Sequence, residues 1–442
     1  MGQIRGGARL AALGCALLLV GPLAAPAAAA GPGAAEPGAA GGYRFAADAR
    51  PVAGTASSAD APTIEAGGVY TDEIAPGETR HYALSLDHAA SAYVTTVAVP
   101  GPGAPLGSSD TLEVELLTTD NESCSTGRRS FSSAGTARPV AAWAGRTVAQ
   151  GAPCQRAGVY FYSVTRGIGG DPEDWPVELR FTQEPPLAGI PESAPELTAW
   201  ETEPPAPPGG AATRVAGGTG FNDAQPIGEG VWRDDLAAGD TLVYRVPVDW
   251  GQQLAVDVEL ANATDLDPAV GSRADVLVEL YNPAGAWVDA DGAARYGGEQ
   301  LSVPLLTPGV HYGNRFLEEY DALRLAGWHY LVVTLAPEAA ELTRRPVGLT
   351  LRLALLGERA AGPAYATDLV EAGFGVTDEM VAQADGGLTD AELAAERATD
   401  RKRQRGYLAI GAGAVLSAGI GLWHLVARRR AVAAAGPVPG SP

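Results

Sequence analysis

The stretch Gly68–Asp87, GVYTDEIAPGETRHYALSLD, aligns without a gap onto Gly230–Asp249, GVWRDDLAAGDTLVYRVPVD. Eight of the twenty positions are identical, and most exchanges elsewhere are conservative: Tyr70 with Trp232, Ile74 with Leu236, Glu78 with Asp240. The correspondence continues in order. Thr111–Leu117 (TLEVELL) meets Asp275–Tyr281 (DVLVELY), Ala157–Thr165 meets Ala326–Thr334, and Pro176–Leu179 meets Pro346–Leu349. The offset grows from 162 to 164, 169 and 170 along the chain, as loop insertions in a shared fold produce, so the chain holds a duplication.

Each copy reads as antiparallel β. Tyr82, Leu84 and Leu86 alternate with His81, Ala83 and Ser85, and Val256 and Val258 alternate with Asp257 and Glu259. A period of two gives a strand one apolar and one wet face. Turn formers at Ala75-Pro76-Gly77-Glu78 and Ala237-Ala238-Gly239-Asp240 let neighbouring strands reverse tightly. Two sheets packed on their apolar faces hide such strands, so the expected class is all-β, with sandwich repeats at 58–183 and 221–356.

The repeats resemble the bacterial pre-peptidase C-terminal domain, an accessory module of secreted proteases and other envelope proteins. The likeness covers most of residues 58–354. It is carried by Asn222-Asp223-Ala224-Gln225-Pro226-Ile227 and its echo Ala59–Ile64, by the glycine five residues before a strand tyrosine (Gly77 to Tyr82, Gly239 to Tyr244), and by the late Ala-Gly-aromatic strands at Ala157 and Ala326. What the resemblance implies is a jelly-roll-like antiparallel β-sandwich that binds or stabilises and has no active site. Family members often place a pair of aspartates before the tyrosine; Arg80 and His81, or Leu242 and Val243, stand there in this chain, a departure that argues against calcium at that point.

The ends of the chain set a topology. Arg5 and Arg9 precede the apolar stretch Leu10–Val20 and a run of small residues up to Ala30, the pattern of a cleaved secretory signal over 1–30. Tyr407–Ala427 contains no charge and is closed by Arg428, Arg429 and Arg430, which meets the about 20 residues a bilayer requires. A transmembrane helix is therefore expected at 406–427, with a short cytoplasmic tail at 428–442. The ectodomain is placed outside the cell, on a single-pass membrane anchor.

Composition narrows the class. Residues 31–400 hold all 52 acids and, once nine flanking bases are set aside, 22 bases, a net charge near −30. Such a surface repels nucleic acid and anionic polymers. One lysine, Lys402, against 30 arginines, with abundant alanine and glycine, points to a GC-rich, actinobacterial source. Outside the signal only Cys124 and Cys154 remain, an even pair in an oxidising compartment, so a disulfide is expected between them.

Between and around the repeats the sequence predicts spacers: a disordered segment at 31–57, a Pro/Gly-rich linker at 184–220, and an acidic stalk at 357–405. The stalk carries a capping box at Thr389 and Glu392, hence a short helix from about Asp390 that Gly406 could break. Trp200, in the linker, is expected to pack on one sandwich.

No HExxH, GxSxG or phosphate-cradling glycine loop occurs, and His329 reads as a satisfied histidine on a sheet face, so no catalytic residue and no enzyme activity are expected. Asp72-Glu73 and Asp234-Asp235 recur at equivalent positions and are the candidate calcium ligands, because calcium takes six to eight oxygens from such loops; neighbouring acids are equally expected on any surface this acidic, and no other cofactor is indicated. Trp200, Trp232, Trp250, His311 and Tyr312, the last two in an insertion at 292–321, form the candidate binding surface. The expected function is an envelope binding protein that presents two sandwiches to another exported protein. The alternatives are a carbohydrate- or cell-wall-binding module, which requires exposed tryptophan or tyrosine, and a hydrolase whose residues converge only in three dimensions.

Overall fold

The computed structural model describes residues 42–131, 136–149, 151–189, 200–265, 273–288 and 293–434. The signal sequence, including its cleavage region, and the tail beyond 434 lie outside the described residues.

The first repeat supplies strands β1 (Arg50–Pro51), β2 (Val69–Ile74), β3 (Thr79–Leu86), β4 (Ser91–Ala98), β5 (Thr111–Thr118), β6 (Ser123–Ser130), β7 (Val140–Arg146), β8 (Gly158–Arg166) and β9 (Trp175–Glu184). They form two sheets, β1-β2-β9-β4-β7 and β3-β8-β5-β6. The second repeat supplies β10 (Thr213–Arg214), β11 (Gln225–Pro226), β12 (Gly230–Leu236), β13 (Thr241–Val248), β14 (Gln253–Leu260), β15 (Ala274–Tyr281), β16 (Trp287–Val288), β17 (Ala293–Tyr296), β18 (Leu301–Leu306), β19 (Gly327–Leu335) and β20 (Val347–Leu356). Their sheets are β10-β12-β20-β14-β18 and β11-β13-β19-β15-β16, with β17 also on β15. The strand orders match one for one: β2-β9-β4-β7 with β12-β20-β14-β18, and β3-β8-β5 with β13-β19-β15. The duplicated sequence is thus a duplicated β-sandwich.

Small devices repeat with it. Gly77 (φ 75°) and Gly239 (φ 84°) make the left-handed turn residue that a side chain would strain. The carboxylates of Glu78 and Asp240 each accept from the backbone N–H three residues earlier at 3.0 Å. The Thr79–Thr165 and Thr241–Thr334 hydroxyl pairs span the same strands at 2.9 and 3.0 Å.

The two sandwiches are joined face to face, although the sequence places a Pro/Gly-rich linker between them. In β4, Ala92, Val94 and Ala98 enter the first core, while Tyr93 and Val97 on the other side enter apolar clusters shared with the second repeat. Every residue of β4 is buried. Val97 and Ala141 meet Val243, Tyr281 and Val332, the outward residues of β13, β15 and β19. Four sheets therefore stack in one block. Strands buried on both faces read as continuous apolar or small runs, as SAYVTTVA in β4 does.

The expected spacers are largely part of this block. Residues 43–57 are not disordered: Tyr43 is buried and donates to Glu178 at 3.2 Å, and β1 pairs in parallel with β2. Burying an aromatic ring and pairing two strand residues offset the chain entropy that this alanine-rich segment would otherwise keep. In the linker, Trp200 packs edge-on to Tyr320 with ring centroids 4.8 Å apart. Glu201 exchanges two backbone hydrogen bonds with the Gln253 amide, and β10 adds to the edge of β12. After β20 the chain returns along the seam between the sandwiches: Ala188 and Ala366 bond across to 364 and 186, and Phe374 is buried beside Tyr93. The acidic stalk therefore begins only near residue 390.

Helix α1 (Asp378–Gly386) is capped by Thr377, whose hydroxyl accepts from Met380 N–H at 3.2 Å, and is ended by left-handed Gly387. Helix α2 (Asp390–Ala434) opens on the Thr389–Glu392 capping box and runs unbroken through Gly406. Its start is tied to the head by Asp390, which accepts from Arg245 (2.5 Å) and Gln383 (2.7 Å). Among the described residues it is the one helix long and apolar enough to cross a membrane. Ile410, Val415, Leu416, Ile420 and Trp423 are all strongly exposed, so no protein surface covers the described side chains of this apolar stretch. Water is a poor solvent for it on every side, and a bilayer is a good one.

Candidate functional site

The acid pairs occupy equivalent places and do the same structural work. Asp72 Oδ2 accepts from Gly54 N–H (2.7 Å) and the Tyr82 hydroxyl (2.8 Å). Asp234 Oδ2 accepts from Gly217 N–H (2.7 Å) and the Tyr244 hydroxyl (2.8 Å). A Cβ on Gly54 or Gly217 would lie 2.7–3.0 Å from the tyrosine ring, so the glycine is part of the device. Each carboxylate also takes the N–H of the next residue, Glu73 or Asp235, at 2.8 Å. Asp235 pairs with Arg214, and Glu73 is exposed. Of the four candidate calcium ligands, Asp72 and Asp234 thus form two tyrosine pins, while Glu73 and Asp235 contribute only their backbone N–H groups to them. Among the described residues no group of three or more His, Cys, Asp or Glu is placed to hold a metal ion.

The candidate aromatic surface is dispersed. Trp232 is buried with its Nε1 donating to Gly228 O at 2.8 Å, and Trp250 is in the second core. His311 caps the 3-10 turn Tyr312–Phe316 by accepting from Gly313 N–H, and the Tyr312 ring lies under Arg315 at 3.6 Å. Other tryptophan faces are covered by arginines: Trp287 by Arg129, Trp328 by Arg245 and Trp143 by Arg324. His329 is fully enclosed, and burial drives its imidazole down to about 4, so it is neutral at pH 7. Cys124 and Cys154 are joined in a disulfide, tying β6 to the loop before β8.

What the structure does bring together lies on the seam. Arg138 and Arg129 reach from the first sandwich to Glu279 on β15, at 2.8 and 2.5 Å. Glu178 on β9 accepts from Asn222. Beside the disulfide the seam opens into a cleft of about 390 Å³, lined by Trp143, Arg146 and Thr147 from the first repeat and by Arg315, Asp321 and Arg324 from the second. Burial raises the Asp321 carboxyl, against the nearby Arg324 charge. Phe316 and Leu317, adjacent to the cleft on the same turn, are 62 and 50% exposed, whereas most large apolar side chains of the head are buried. The sequence points to the 292–321 insertion but not to Arg146, whose partners Asp87 and Ala90 lie more than 55 residues away in the same repeat, nor to Arg324, whose partners Thr147, Trp143 and Tyr93 come from the other repeat.

No known family and no characterised protein matches the chain in sequence. Among solved structures, one similar to it is a protein described as secreted from Parabacteroides distasonis, at 12% identity over 66% of this chain and 89% of that one, TM-score 0.17. Another is the N-terminal CBM22-1–CBM22-2 tandem domain of Xyn10C from Paenibacillus barcinonensis, at 10% identity over 66% of this chain and 92% of that one, TM-score 0.18. The ANX1 ectodomain of Arabidopsis thaliana matches at 10% identity over 66% and 85%, TM-score 0.19. At these scores the likeness carries no conclusion about this chain.

Proposed function

We propose that the chain is a membrane-anchored protein of the cell envelope whose fused sandwich pair serves, outside the cell, as a rigid recognition head for another exported protein. The observation that carries this reading is the coupling of the whole four-sheet block to α2. Asp390, at the foot of the apolar helix, is held by Arg245 of β13 and by Gln383 of α1, so the head and the helix fit to cross a membrane are one mechanical unit. Fixing a recognition surface at a set height above a bilayer favours binding to something else confined there, because the encounter is then nearly two-dimensional. The exposed Phe316–Leu317 tip beside the seam cleft supplies an apolar anchor for that contact. The tryptophan faces that sugar stacking would use are filled by arginines, which speaks against a carbohydrate module.

The test is a photo-crosslinking amino acid at Phe316, introduced into the full-length protein in its own membranes. A discrete adduct with one exported protein, absent when the crosslinker is placed on the far sheet at exposed Glu113, supports the reading. Identical adduct patterns from both positions, or none from either, would overturn it.

A further inference from the structure

Arg324 is 4% exposed, yet among the described residues its guanidinium makes a single hydrogen bond, Nη1 to the Thr147 hydroxyl at 3.0 Å. Its Nε has no partner, and the nearest carboxylate, Asp321, stands 4.0 Å from Nη2, beyond hydrogen-bond reach. The group is held in place by aromatic faces, Trp143 at 4.7 Å and Tyr93 at 5.2 Å. Across the cleft Arg146 is wholly buried, donates to the carbonyls of Asp87 and Ala90, has the half-exposed Asp87 carboxylate 3.8 Å from its Nη2, and also leaves Nε unpaired. Buried guanidinium N–H groups without acceptors are strongly unfavourable. Both side chains belong to the lining of an open cleft, with the Asp321 carboxylate on the same wall, in a chain whose surface is otherwise acidic.

We infer that the seam cleft is a binding site for an oxyanion group, a carboxylate or a phosphate, received by Arg324 and Arg146 with the Thr147 hydroxyl beside them. The planar fork of a guanidinium matches the two oxygens of such a group. The Trp143 and Tyr93 faces hold the Arg324 plane still, so little side-chain entropy is lost on binding. Because one arginine comes from each repeat, the ligand would also bridge the seam. This goes beyond the reading of the head as a protein-recognition module and does not depend on it.

The experiment replaces chloride by sodium phosphate, and separately by sodium acetate, at constant ionic strength, and follows the Tm of the head in the full-length, detergent-solubilised protein. A Tm that rises and saturates with either anion is expected; a response to phosphate alone assigns a phosphoryl group, to acetate alone a carboxylate, to both an oxyanion of either kind. Arg324→Gln should abolish the response. Thr126 is exposed on the cleft wall, so Thr126→Asp should fold with an unchanged Tm in chloride. Its like charge should weaken anion binding by about tenfold or more. No saturable response to either anion, or one that survives both substitutions, overturns the inference.

Discussion

Glu184, at the end of the first sandwich, and Arg315, in the insertion of the second, form a two-pronged ion pair at 2.7 and 3.1 Å in which both side chains are all but excluded from solvent. The same carboxylate accepts from the hydroxyls of Tyr93 and Tyr365 at 2.7 Å, so one residue gathers both repeats and the returning C-terminal segment. Glu184→Gln keeps the shape but leaves a buried guanidinium without its counter-charge. Breaking a buried pair this way costs about 3–5 kcal/mol. Urea unfolding of the head should show that loss; a variant within 1 kcal/mol of the parent would mean the pair behaves as a surface contact.

The seam should be sensitive to acid. Burial by itself raises the carboxyls of Glu184 and Glu279, but the charges and hydrogen bonds of Arg315, and of Arg138 and Arg129, outweigh it and hold both below the ordinary glutamate range. A carboxyl with a folded pKa below its unfolded value, near about 4.3, contributes stability that is present above that value and lost as pH falls through the folded one. Tm should therefore be level from pH 7 to about 5 and fall below about 4. Hydrogen exchange in β4 and β15, where the seam lies, should quicken there before the outer sheets respond. Uniform exchange across all four sheets at pH 3.5 would contradict this.

The tyrosine pins predict matched behaviour 162 residues apart. Asp72→Ala and Asp234→Ala each strand a buried tyrosine hydroxyl and a backbone N–H, and each should cost about 1–3 kcal/mol. Because both carboxylates are already occupied by N–H and O–H donors, chelation with EDTA should leave the Tm of the parent unmoved. A fall of several degrees on chelation would restore calcium to these positions.

The duplication, the strand alternation and the apolar helix are all written locally, in contiguous residues whose period or self-similarity survives without knowledge of the fold. The disulfide was readable too, since only one pairing of two exported cysteines exists. The seam was not. Glu279 and Glu184 look like any acids of an acidic chain until Arg138 and Arg315 arrive across more than 130 residues. Trp232 and Trp250 looked available for a ligand because a tryptophan's covering, here residues near Gly387 and Gly362, is likewise distant in sequence. The uninterrupted runs SAYVTTVA of β4, VAAWA of β7 and LVVTL of β19 are the local trace of strands covered on both faces.

Opening the Cys124–Cys154 bridge should loosen a defined region. The bond ties residues 30 apart, and in the chain-entropy model a loop of that size contributes about 3–4 kcal/mol. Cys154 also packs in the first core, and its carbonyl accepts from the Tyr160 hydroxyl at 2.8 Å. Cys124→Ser/Cys154→Ser should therefore lower unfolding free energy by that order, with β6 and the 147–157 loop showing the largest gain in hydrogen exchange. Loss spread evenly over both sandwiches would show that the bridge acts on the whole block.

The head should be separable from its anchor without loss of stability. Among the described residues, Asp390 and Arg397 are the last points at which α2 is tied to the head or α1, through Arg245, Gln383 and Glu379. Beyond them the described side chains are essentially all exposed, and none of those in the apolar stretch enters either core. A chain ended after Asp400 removes the four bases at Arg401, Lys402, Arg403 and Arg405 together with the apolar run. It should move from the membrane to the soluble fraction and keep the Tm of the full-length head within about 2 °C, since a 1 kcal/mol change in a domain of this size shifts Tm by roughly 2–4 °C. A markedly lower Tm would show that the helix stabilises the head directly. Retention on the membrane would show that the apolar run is not what holds the protein there.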